Sequence, residues 1–525
     1  MIHLNVGDLY DRAVEFYKDR TAIEFNETRY TYNELRHNAL CLANGLRGLG
    51  IGKGSKIGLF MKNCPEYLFC EYALAKIGAV RVPLAVLLGA QDHIYMMNQT
   101  ECDTLIYHES LSDRVQSMIP DLESVKHFIC ISEDPSGVVT GHHRLQTVIE
   151  EAKPHKIEES IDIEDLVGIH YTGGTTGKPK GVMLSHRAWV YTVLMEILEL
   201  GFGWEEAFGY FTPLTHGGGC LILPVLLRKG RCVILDHFSV EDFGIAVERY
   251  GITATFLVPT MIYMLLDYPE LKKYDLSSLR NIIYGASAIV PERLKAGIEK
   301  FGPIFTQLFG QTEAPMIVSA LSREEHVVVG DPEREKARLS SAGRPAFHAE
   351  VRIEDDEGNR MARGEPGEIV VKCSNVMSGY FKNPEATKET LKDGWLHTGD
   401  IARQDEEGFL YIVDRKKDMI VSGGFNIFPS EIEDVLHEHP AVKSAAVIGV
   451  PHEKWGEEIK AIVVLEKGSK VDAEKLIEYV KSIKGSITSP KTVEFWDELP
   501  LTNIGKIDKK AIRAKFWKGK DRMVM

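Results

Sequence analysis

The chain has 525 residues, of which 44% are hydrophobic and 26% charged, and its formal net charge is −14. A chain of this length is too long for one hydrophobic core, so we expect two or more domains. The composition is typical of a soluble globular protein, and the acidic balance argues against nonspecific nucleic-acid binding over the whole surface.

The N-terminal segment and the cysteines favour a cytoplasmic protein. Residues 1–20 are charged and lack the continuous apolar segment of a signal peptide. No run approaches the ~18 uninterrupted apolar residues of a transmembrane helix. The eight cysteines are scattered without a Cys-x-x-Cys pair, so we expect neither structural zinc nor a disulfide framework.

From Thr31 onward, helix patterns alternate with strand patterns. Thr31 to Glu34 has the spacing of a capping box and predicts a helix whose end is marked by Gly48 and Gly50. Helices are predicted at 65–77 and 240–250, and strands at 56–61, 79–84, 104–107, 127–131, 232–235, 253–258 and 281–284. This alternation predicts an α/β fold of mostly parallel sheets with helices on both faces.

After about Gly343 the pattern changes to antiparallel strands. These are predicted at 349–354, 367–372 and 394–415, with a turn at 405–408. The charged segment 414–418 is the predicted domain boundary. The remainder suits a small α+β domain, with a capping-box helix start at Ser430 to Glu433, strands at 445–450 and 461–465, and a helix at 472–483.

The stretch YTGGTTGKPKG at residues 171–181 follows an apolar-rich run at 166–170. A strand that leads into a loop without bulky side chains lets backbone N–H groups approach a phosphate chain closely. Threonine hydroxyls add donors, and Lys178 and Lys180 add positive charge. It is not a Walker A loop, because the spacing GxxxxGK[ST] is absent, and by itself it could also be a surface loop.

Four further strings follow in order: FGQTE at 309–313, WLHTGD at 395–400, DRKKDMIVSGGFNIFPSEIE at 414–433 and NIGKI at 503–507. Together with the glycine-rich stretch they resemble the adenylate-forming superfamily of acyl-CoA synthetases, adenylation domains and luciferases. The resemblance covers nearly the whole chain.

The resemblance implies a two-domain fold. We expect an N-terminal AMP-binding domain over residues 1–414, with mostly parallel sheets flanked by helices and a β-barrel-like subdomain. Residues 415–418 would form a hinge. Residues 419–525 would form a small, mobile α+β domain.

The resemblance also implies a site for ATP and Mg²⁺. The residues expected at the β- and γ-phosphates are Thr172, Gly173, Gly174, Thr175, Thr176, Gly177, Lys178 and Lys180. Thr312 and Glu313 would lie at the α-phosphate and the magnesium ion, with Gln311 in the same string. Mg²⁺ prefers oxygen ligands, retains waters and bridges phosphates, so one protein carboxylate is enough.

The nucleoside is expected on two other strings. The residues that match the adenine-lining segment are Gly285, Ala286 and Ser287, with Phe309 and Gly310 nearby. Asp400 would accept hydrogen bonds from both ribose hydroxyls, and Arg415 would donate to the ribose.

The chemistry explains why a lysine is needed. A carboxylate is ionised at pH 7, and its attack on the α-phosphate gives an acyl-adenylate and pyrophosphate. Because both reactants are anionic, the enzyme must mainly neutralise and align charge. Lys506 matches the family's catalytic lysine, which bridges the carboxylate and the α-phosphate. Many relatives have a basic residue where Leu501 stands, a departure that we expect to alter local packing rather than chemistry.

The second step needs a thiol. Lys417 matches the hinge about which the C-terminal domain of this family rotates after adenylation. Residues 422–425 would then form part of the tunnel for the pantetheine of CoA, and Gly423 and Gly424 would keep it open. A thiol with a pKa near ~8.5 is partly ionised at neutral pH, so a dedicated base is optional.

The acid pocket is expected around His216, which precedes three glycines and matches an aromatic or histidine gate in relatives. Further candidates are Tyr210, Gly217, Gly218, Gly219, Tyr284, Gly310 and Ala314. None of these is charged, so an apolar acid is favoured over an amino acid, whose ammonium group would need a buried acidic partner. The aspartate that amino-acid adenylation domains carry near 212–216 is absent.

The leading interpretation is an AMP-forming ligase that joins a fatty, aryl or alicyclic acid to CoA. The alternative is an acyl-AMP ligase that delivers the acyl group to a carrier protein. We expect no appended carrier domain after Lys506, so that carrier would be a separate protein. A luciferase-like oxygenase shares these motifs, and a non-catalytic nucleotide- or acid-binding relative is a further class. The identity of the acid and the oligomeric state, a homodimer included, stay open.

Overall fold

The computed structural model describes residues 4–172, 179–422, 425–452, 455–502 and 507–517. Contacts within the chain divide it into two compact units, 1–351 with 371–396 and 352–370 with 397–525. The hinge expected at 415–418 stays a prediction.

The strands, in chain order, are β1 (Thr21–Phe25), β2 (Thr28–Thr31), β3 (Lys56–Phe60), β4 (Val80–Pro83), β5 (Thr104–His108), β6 (His127–Ile131), β7 (His143–Arg144), β8 (Leu166–Thr172), β9 (Lys180–Ser185), β10 (Ala207–Tyr210), β11 (Arg231–Ile234), β12 (Ala254–Leu257), β13 (Asn281–Tyr284), β14 (Phe305–Gln311), β15 (Ala314–Leu321), β16 (Arg344–Pro345), β17 (Glu350–Glu354), β18 (Gly367–Lys372), β19 (Gly379–Tyr380), β20 (Leu391–Lys392), β21 (Trp395–Gln404), β22 (Leu410–Arg415), β23 (Ile420–Ser422), β24 (Phe425–Ile427), β25 (Val442–His452), β26 (Gly456–Leu465) and β27 (Thr492–Phe495).

The α-helices are α1 (Val6–Tyr17), α2 (Tyr32–Gly48), α3 (Pro65–Ile77), α4 (Ala90–Thr100), α5 (Ser112–Met118), α6 (Leu145–Glu150), α7 (His186–Glu199), α8 (Gly217–Cys220), α9 (Ile222–Leu227), α10 (Val240–Tyr250), α11 (Pro259–Leu266), α12 (Pro291–Phe301), α13 (Pro332–Ser340), α14 (Pro384–Thr390), α15 (Pro429–Glu438), α16 (Ala473–Lys484) and α17 (Lys509–Ala514).

The first unit contains two mixed sheets in its described residues. One has the order β16-β15-β14-β13-β12-β10-β11-β1-β2, and the other has the order β19-β9-β8-β4-β3-β5-β6-β7. Strands β10 to β14 pair in parallel, as do β3 to β8 within their sheet, and antiparallel pairs close three of the four edges, the exception being the parallel pair β6–β7. The predicted α/β fold with mostly parallel sheets is therefore confirmed.

Local sequence signals account for several helix boundaries. The Thr31 hydroxyl accepts the N–H of Glu34, and the Glu34 carboxylate accepts the N–H of Thr31, so the predicted capping box opens α2. Helix α3 begins with Pro65, and the residue that caps its C-terminal end, Gly78, has a left-handed φ of 67°. Both helices bury apolar residues, and they pack against each other.

Two further sheets follow in the described residues. One has the order β17-β18-β21-β20 with β22 on β21, and the other has the order β24-β23-β26-β25 with β27 on β26. Their pairing is antiparallel between β21 and β22 and between β25 and β26. In the second unit, the β23–β27 sheet packs with α15 and α16 over an apolar core, which matches the small α+β domain that was predicted.

The capping box predicted at Ser430 to Glu433 is wrong. Helix α15 instead begins at Pro429. Its N-cap residue is Phe428, whose side chain makes no capping hydrogen bond. Asp414 replaces that cap, because its Oδ2 accepts the Ser430 N–H at 2.9 Å. A residue from a preceding strand thus satisfies an orphan donor of the helix.

The cysteines and the lengths of the apolar helices are also visible in the structure. All eight cysteines are free in the structure. Among the residues that the structure describes, no helix has the length and apolar character needed to cross a bilayer.

Candidate active site

The glycine-rich stretch lies between two antiparallel strands of the first unit. The predicted strand before it is confirmed as β8, and Thr172 at its end is paired with Lys180 at the start of β9. Residues 173–178 lie outside the described residues. The phosphate-binding roles of Gly173, Gly174, Thr175, Thr176, Gly177 and Lys178 therefore stay predictions.

Thr312 and Glu313 form a tight turn between β14 and β15. Gln311 is paired with Ala314, which leaves these two residues at the tip of the hairpin. The register of the pairing shifts between Phe309 and Gln311.

Gly310 is required at this hairpin by close packing. A Cβ atom at Gly310 would lie 2.5 Å from the carbonyl carbon and oxygen of Met316, a distance that Cβ atoms do not tolerate. Met316 itself has a φ of 62°, so the facing strand is locally distorted as well. The glycine therefore allows two backbones to approach directly before the Thr312–Glu313 turn.

A tyrosine that the motifs did not indicate holds Glu313 in place. The Tyr380 hydroxyl donates to Glu313 Oε1 at 2.7 Å, and the Met377 N–H donates to the Glu313 carbonyl at 2.8 Å. Glu313 is only 8% exposed. Burial and the adjacent Glu313 charge raise the pKa of Tyr380, so the hydroxyl stays a donor.

The same tyrosine connects Glu313 to the glycine-rich stretch. Tyr380 pairs with Val182 of β9, and the Lys180 ammonium lies 4.8 Å from the centre of the Tyr380 ring. A cation at this distance is attracted to the face of an aromatic ring. The structure thus brings Lys180 and Glu313 together around one side chain.

The predicted adenine segment follows the neighbouring parallel strand. Tyr284 at the end of β13 is paired with Gln307 of β14, so the loop at Gly285 follows the strand next to the FGQTE string. A Cβ atom at Gly285 would lie 2.5 Å from the Leu308 carbonyl oxygen. Ala286 and its neighbour Ser287 are exposed, and Ala286 has a φ of 67°.

Two glutamines of β14 carry buried polar atoms that lack a hydrogen-bond partner in the described part of the chain. These atoms are Gln307 Oε1 and Gln311 Nε2. A buried donor without a partner is costly, so such groups commonly mark a ligand site. Ligands of open α/β sheets bind at the carboxyl ends of the strands, where these residues lie.

His216 is exposed and precedes α8. His170 lies within β8, and its ring is 5.3 Å from that of Trp189. Burial lowers the pKa of His170 well below its ordinary value, and the Arg81 and His216 charges lower it further. His170 is therefore neutral at physiological pH.

Two of the three glycines after His216 are confined by backbone. A Cβ atom at Gly218 would lie 2.9 Å from the Thr212 carbonyl oxygen, and one at Gly219 would collide with the Leu214 carbonyl. Tyr210 and Tyr284 are both buried, and Ala314 is buried at the start of β15. These pocket candidates are therefore each closely packed within the first unit.

In the second unit, Asp400 and Arg415 face each other across β21 and β22. The Arg415 Nε lies 2.6 Å from Asp400 Oδ1, and Asp400 is 2% exposed. The Thr398 hydroxyl accepts the Asp400 N–H at 3.1 Å, which fixes the backbone there. A buried carboxylate held by an arginine is a rigid acceptor.

The predicted hinge and CoA residues also belong to the second unit. Burial lowers the pKa of Lys417, and its carbonyl accepts from Arg513 Nη1 at 3.5 Å. Ser422 is paired with Phe425 across β23 and β24. Gly423, Gly424 and Lys506 lie outside the described residues, so their roles stay predictions.

Comparison with known proteins identifies the family. The AMP-binding enzyme family matches residues 10–381, and the AMP-binding enzyme C-terminal domain matches residues 431–506. A medium/long-chain fatty-acid–CoA ligase, FadD8 of Mycobacterium tuberculosis, is 39% identical over 99% of this chain and 91% of its own. A feruloyl-CoA synthase of an Amycolatopsis species is 35% identical over 94% of this chain and 96% of its own.

A solved structure agrees with this family in its fold. The amide bond synthetase McbA from Marinactinospora thermotolerans superimposes with a TM-score of 0.88 at 30% identity, covering 97% of this chain and 99% of that one. The chain belongs to the AMP-binding enzymes of the adenylate-forming superfamily, as its five sequence strings predicted.

Proposed function

We propose that this enzyme is an AMP-forming acid–CoA ligase that activates an apolar carboxylic acid. The observation that carries the proposal is the Glu313–Tyr380–Lys180 arrangement, in which an anchored carboxylate and a lysine flank one tyrosine beside the glycine-rich stretch. The names of the two relatives, both CoA ligases, support the choice of acceptor.

The residues of this arrangement suit phosphate chemistry. Lys180 would neutralise phosphate oxygens, and the Gln311 Nε2 donor would gain the partner that it lacks within the described chain. Glu313 would hold Mg²⁺ with one carboxylate, since this ion retains waters and bridges phosphates and needs few protein ligands. The ion, when bound, would neutralise charge on the phosphates. Tyr380 would keep the carboxylate oriented.

Asp400 and Arg415 are proposed as ribose ligands. The Arg415 contact holds the Asp400 carboxylate in one orientation, which suits an acceptor for two neighbouring hydroxyls. Lys506 is proposed to stabilise the charge that develops when the carboxylate attacks the α-phosphate.

The reaction then proceeds by transfer to a thiol. The CoA sulfur forms a bond to the acyl carbon, the bond from that carbon to the AMP oxygen breaks, and the thiol proton is released to solvent. A fatty, aryl or alicyclic acid is proposed as the substrate, because the pocket candidates around His216 and Tyr210 are uncharged.

The test is product identification by mass spectrometry. The purified enzyme is incubated with ATP, Mg²⁺, CoA and a panel of short, medium, long, aromatic and alicyclic acids, and parallel reactions omit the acid or CoA. We expect acyl-CoA, AMP and pyrophosphate in the complete reaction, and AMP formation that depends on the acid.

Acyl-adenylate without a thioester would overturn the assignment of CoA and would favour delivery to a carrier protein. The absence of both products from every acid would overturn the ligase assignment itself.

A further inference from the structure

A carboxyl group that the mechanism does not use is buried near the acid pocket candidates. Glu196, close to the C-terminal end of α7, is 0% exposed. Neither of its carboxyl oxygens has a hydrogen-bond partner among the described residues. Burying such a group without partners is unfavourable, so a well-packed protein seldom retains one without a use.

The face of α7 that carries Glu196 also carries Trp189, which packs against His170. Trp189, Val193 and Glu196 are separated by four and three residues and therefore share one buried face of the helix. The Trp189 ring contacts that of His170, at 5.3 Å between centroids, and the His216 charge lowers the His170 pKa.

Packing of α7 leads to the same region. The helix packs against α9, which follows the three glycines, and against β15, which begins directly after Glu313. Burial raises the pKa of the Cys220 thiol, and a carboxylate at Glu196 would raise it further, so the end of α8 lies within electrostatic reach of Glu196. Burial and several neighbours, Glu196 among them, raise the pKa of Tyr210.

Burial favours the neutral form of the Glu196 carboxyl group. Burial raises the pKa of Glu196 well above its ordinary value. A neutral carboxyl both donates and accepts one hydrogen bond, so its chemistry is that of a partner for a hydroxyl or carbonyl group.

We propose that Glu196 is a specificity residue that hydrogen-bonds an uncharged hydroxyl or carbonyl group on the otherwise apolar substrate acid. This rests on the proposed function, and it narrows the acid from a plain hydrocarbon to one with a polar substituent remote from the reacting carboxylate. An ammonium substituent is disfavoured, because the Arg81 guanidinium already lies 4.0 Å from the centre of the Trp189 ring.

The test compares pairs of acids that differ by one hydroxyl group, such as octanoate with 8-hydroxyoctanoate and cinnamate with its 4-hydroxy derivative. For each acid, kcat/KM for thioester formation and the Kd of the acid in the presence of a non-hydrolysable ATP analogue are measured. The proteins are wild type, Glu196→Gln, Glu196→Leu and the control Glu199→Gln on the same helix.

We expect the wild type to favour the hydroxylated member of at least one pair by about tenfold, the value of one good hydrogen bond. Glu196→Gln, which still donates and accepts, should keep that preference within about threefold. Glu196→Leu should lose that preference, because kcat/KM for the hydroxylated acid falls while kcat/KM for the plain acid stays unchanged. Glu199→Gln should behave as wild type.

Several outcomes overturn the proposal. If Glu196→Leu keeps the preference for the hydroxylated acid, or if the wild type has no such preference, then Glu196 does not contact the substrate. Tighter binding of an amino-substituted acid than of its hydroxylated partner would replace the hydrogen bond with an ion pair. One outcome separates the two proposals. If the preference appears in the Kd of the acid but no thioester forms, the CoA ligase assignment is contradicted and the role of Glu196 is supported.

The Leu variant is expected to fold, because it removes an unpaired buried polar group. Its thermal midpoint should equal or exceed that of the wild type. A large decrease would show that Glu196 has a structural partner and would overturn the assignment.

Discussion

Glu313 supplies a carboxylate at the β14–β15 turn, and the Tyr380 hydroxyl donates a hydrogen bond that orients it. Glu313→Gln keeps an oxygen that can accept from Tyr380 but removes the charge. We expect ATP–pyrophosphate exchange to fall by about 10²- to 10³-fold, with little change in the thermal midpoint. Exchange rates and thermal unfolding of the purified variant measure the two quantities.

The matched control is Tyr380→Phe, which keeps the charge and removes only the donor. Loss of one hydrogen bond to a charged, buried acceptor should cost about 2 kcal/mol of stability and about tenfold in exchange. An unimpaired Gln variant, or a Phe variant as impaired as the Gln variant, would contradict the role assigned to the Glu313 charge.

His326 provides a pH-dependent prediction at a single residue. Its Nε2 lies 2.9 Å from the Tyr284 hydroxyl and its Nδ1 lies 2.7 Å from the Ser322 carbonyl, an arrangement that suits a neutral imidazole. Burial lowers the pKa of His326 from 6.5 to about 4. Between these values the unfolded chain binds more protons, so the contribution present above pH 6.5 is lost as the pH falls toward 4.

Comparison with His326→Gln isolates this contribution. Between pH 6.5 and 5.0, the wild type should lose about 2 kcal/mol more of its unfolding free energy than the variant does. Urea midpoints of both proteins at pH 7.5, 6.5 and 5.0 measure the difference. Parallel pH profiles would contradict a depressed His326 pKa.

At the scale of one element, the β14–β15 hairpin depends on the absence of a side chain at Gly310. Gly310→Ala should force the two strands apart, because its Cβ would lie 2.5 Å from the Met316 backbone. We expect a loss of about 1–3 kcal/mol in unfolding free energy, and reduced adenylation because the Thr312–Glu313 turn moves. Urea unfolding and pyrophosphate exchange check both effects.

Gly48→Ala is the control for a glycine without such a contact. Gly48 is the last residue of α2, and a Cβ atom there would have nothing within 4 Å. Its substitution should be neutral or stabilising by up to about 1 kcal/mol, because alanine favours the helix. Equal losses in the two variants would show that close approach at Gly310 is not what matters.

The elements show which features a sequence can predict. The helix at Pro65–Ile77 and the strand at Asn281–Tyr284 were predicted with their observed bounds, because apolar runs flanked by turn residues are local signals. The start of α15 was mispredicted because its cap, Asp414, lies 16 positions from Ser430. Local spacing contains no information about such a partner.

The same limit applies to the candidate site. Thr312, Glu313 and Lys180 were predicted from their strings, whereas Tyr380 was not, because its partner Glu313 is 67 positions away. Glu196 could have been noticed as an acidic residue on the apolar face of a helix. Its neighbours across the fold became known only with the structure.

For the whole molecule, the family resemblance predicts that one lysine serves only the first half-reaction. Lys506→Ala should abolish adenylate formation and leave conversion of supplied acyl-adenylate and CoA to acyl-CoA much less affected. Pyrophosphate exchange and thioester formation from synthetic acyl-adenylate measure the two half-reactions. Equal losses in both would contradict the rotation of the C-terminal domain that was predicted about Lys417.

The central claim, that the acid is activated through its own oxygen as an adenylate before thioester formation, can be tested with isotopes. The substrate acid is labelled with ¹⁸O in both carboxylate oxygens, and the products with ATP and CoA are weighed by mass spectrometry. Our account predicts one ¹⁸O atom in AMP, one in the acyl-CoA and none in pyrophosphate, because the carboxylate oxygen that attacks the α-phosphate leaves with AMP. AMP that carries no label, or label in inorganic phosphate, would contradict it.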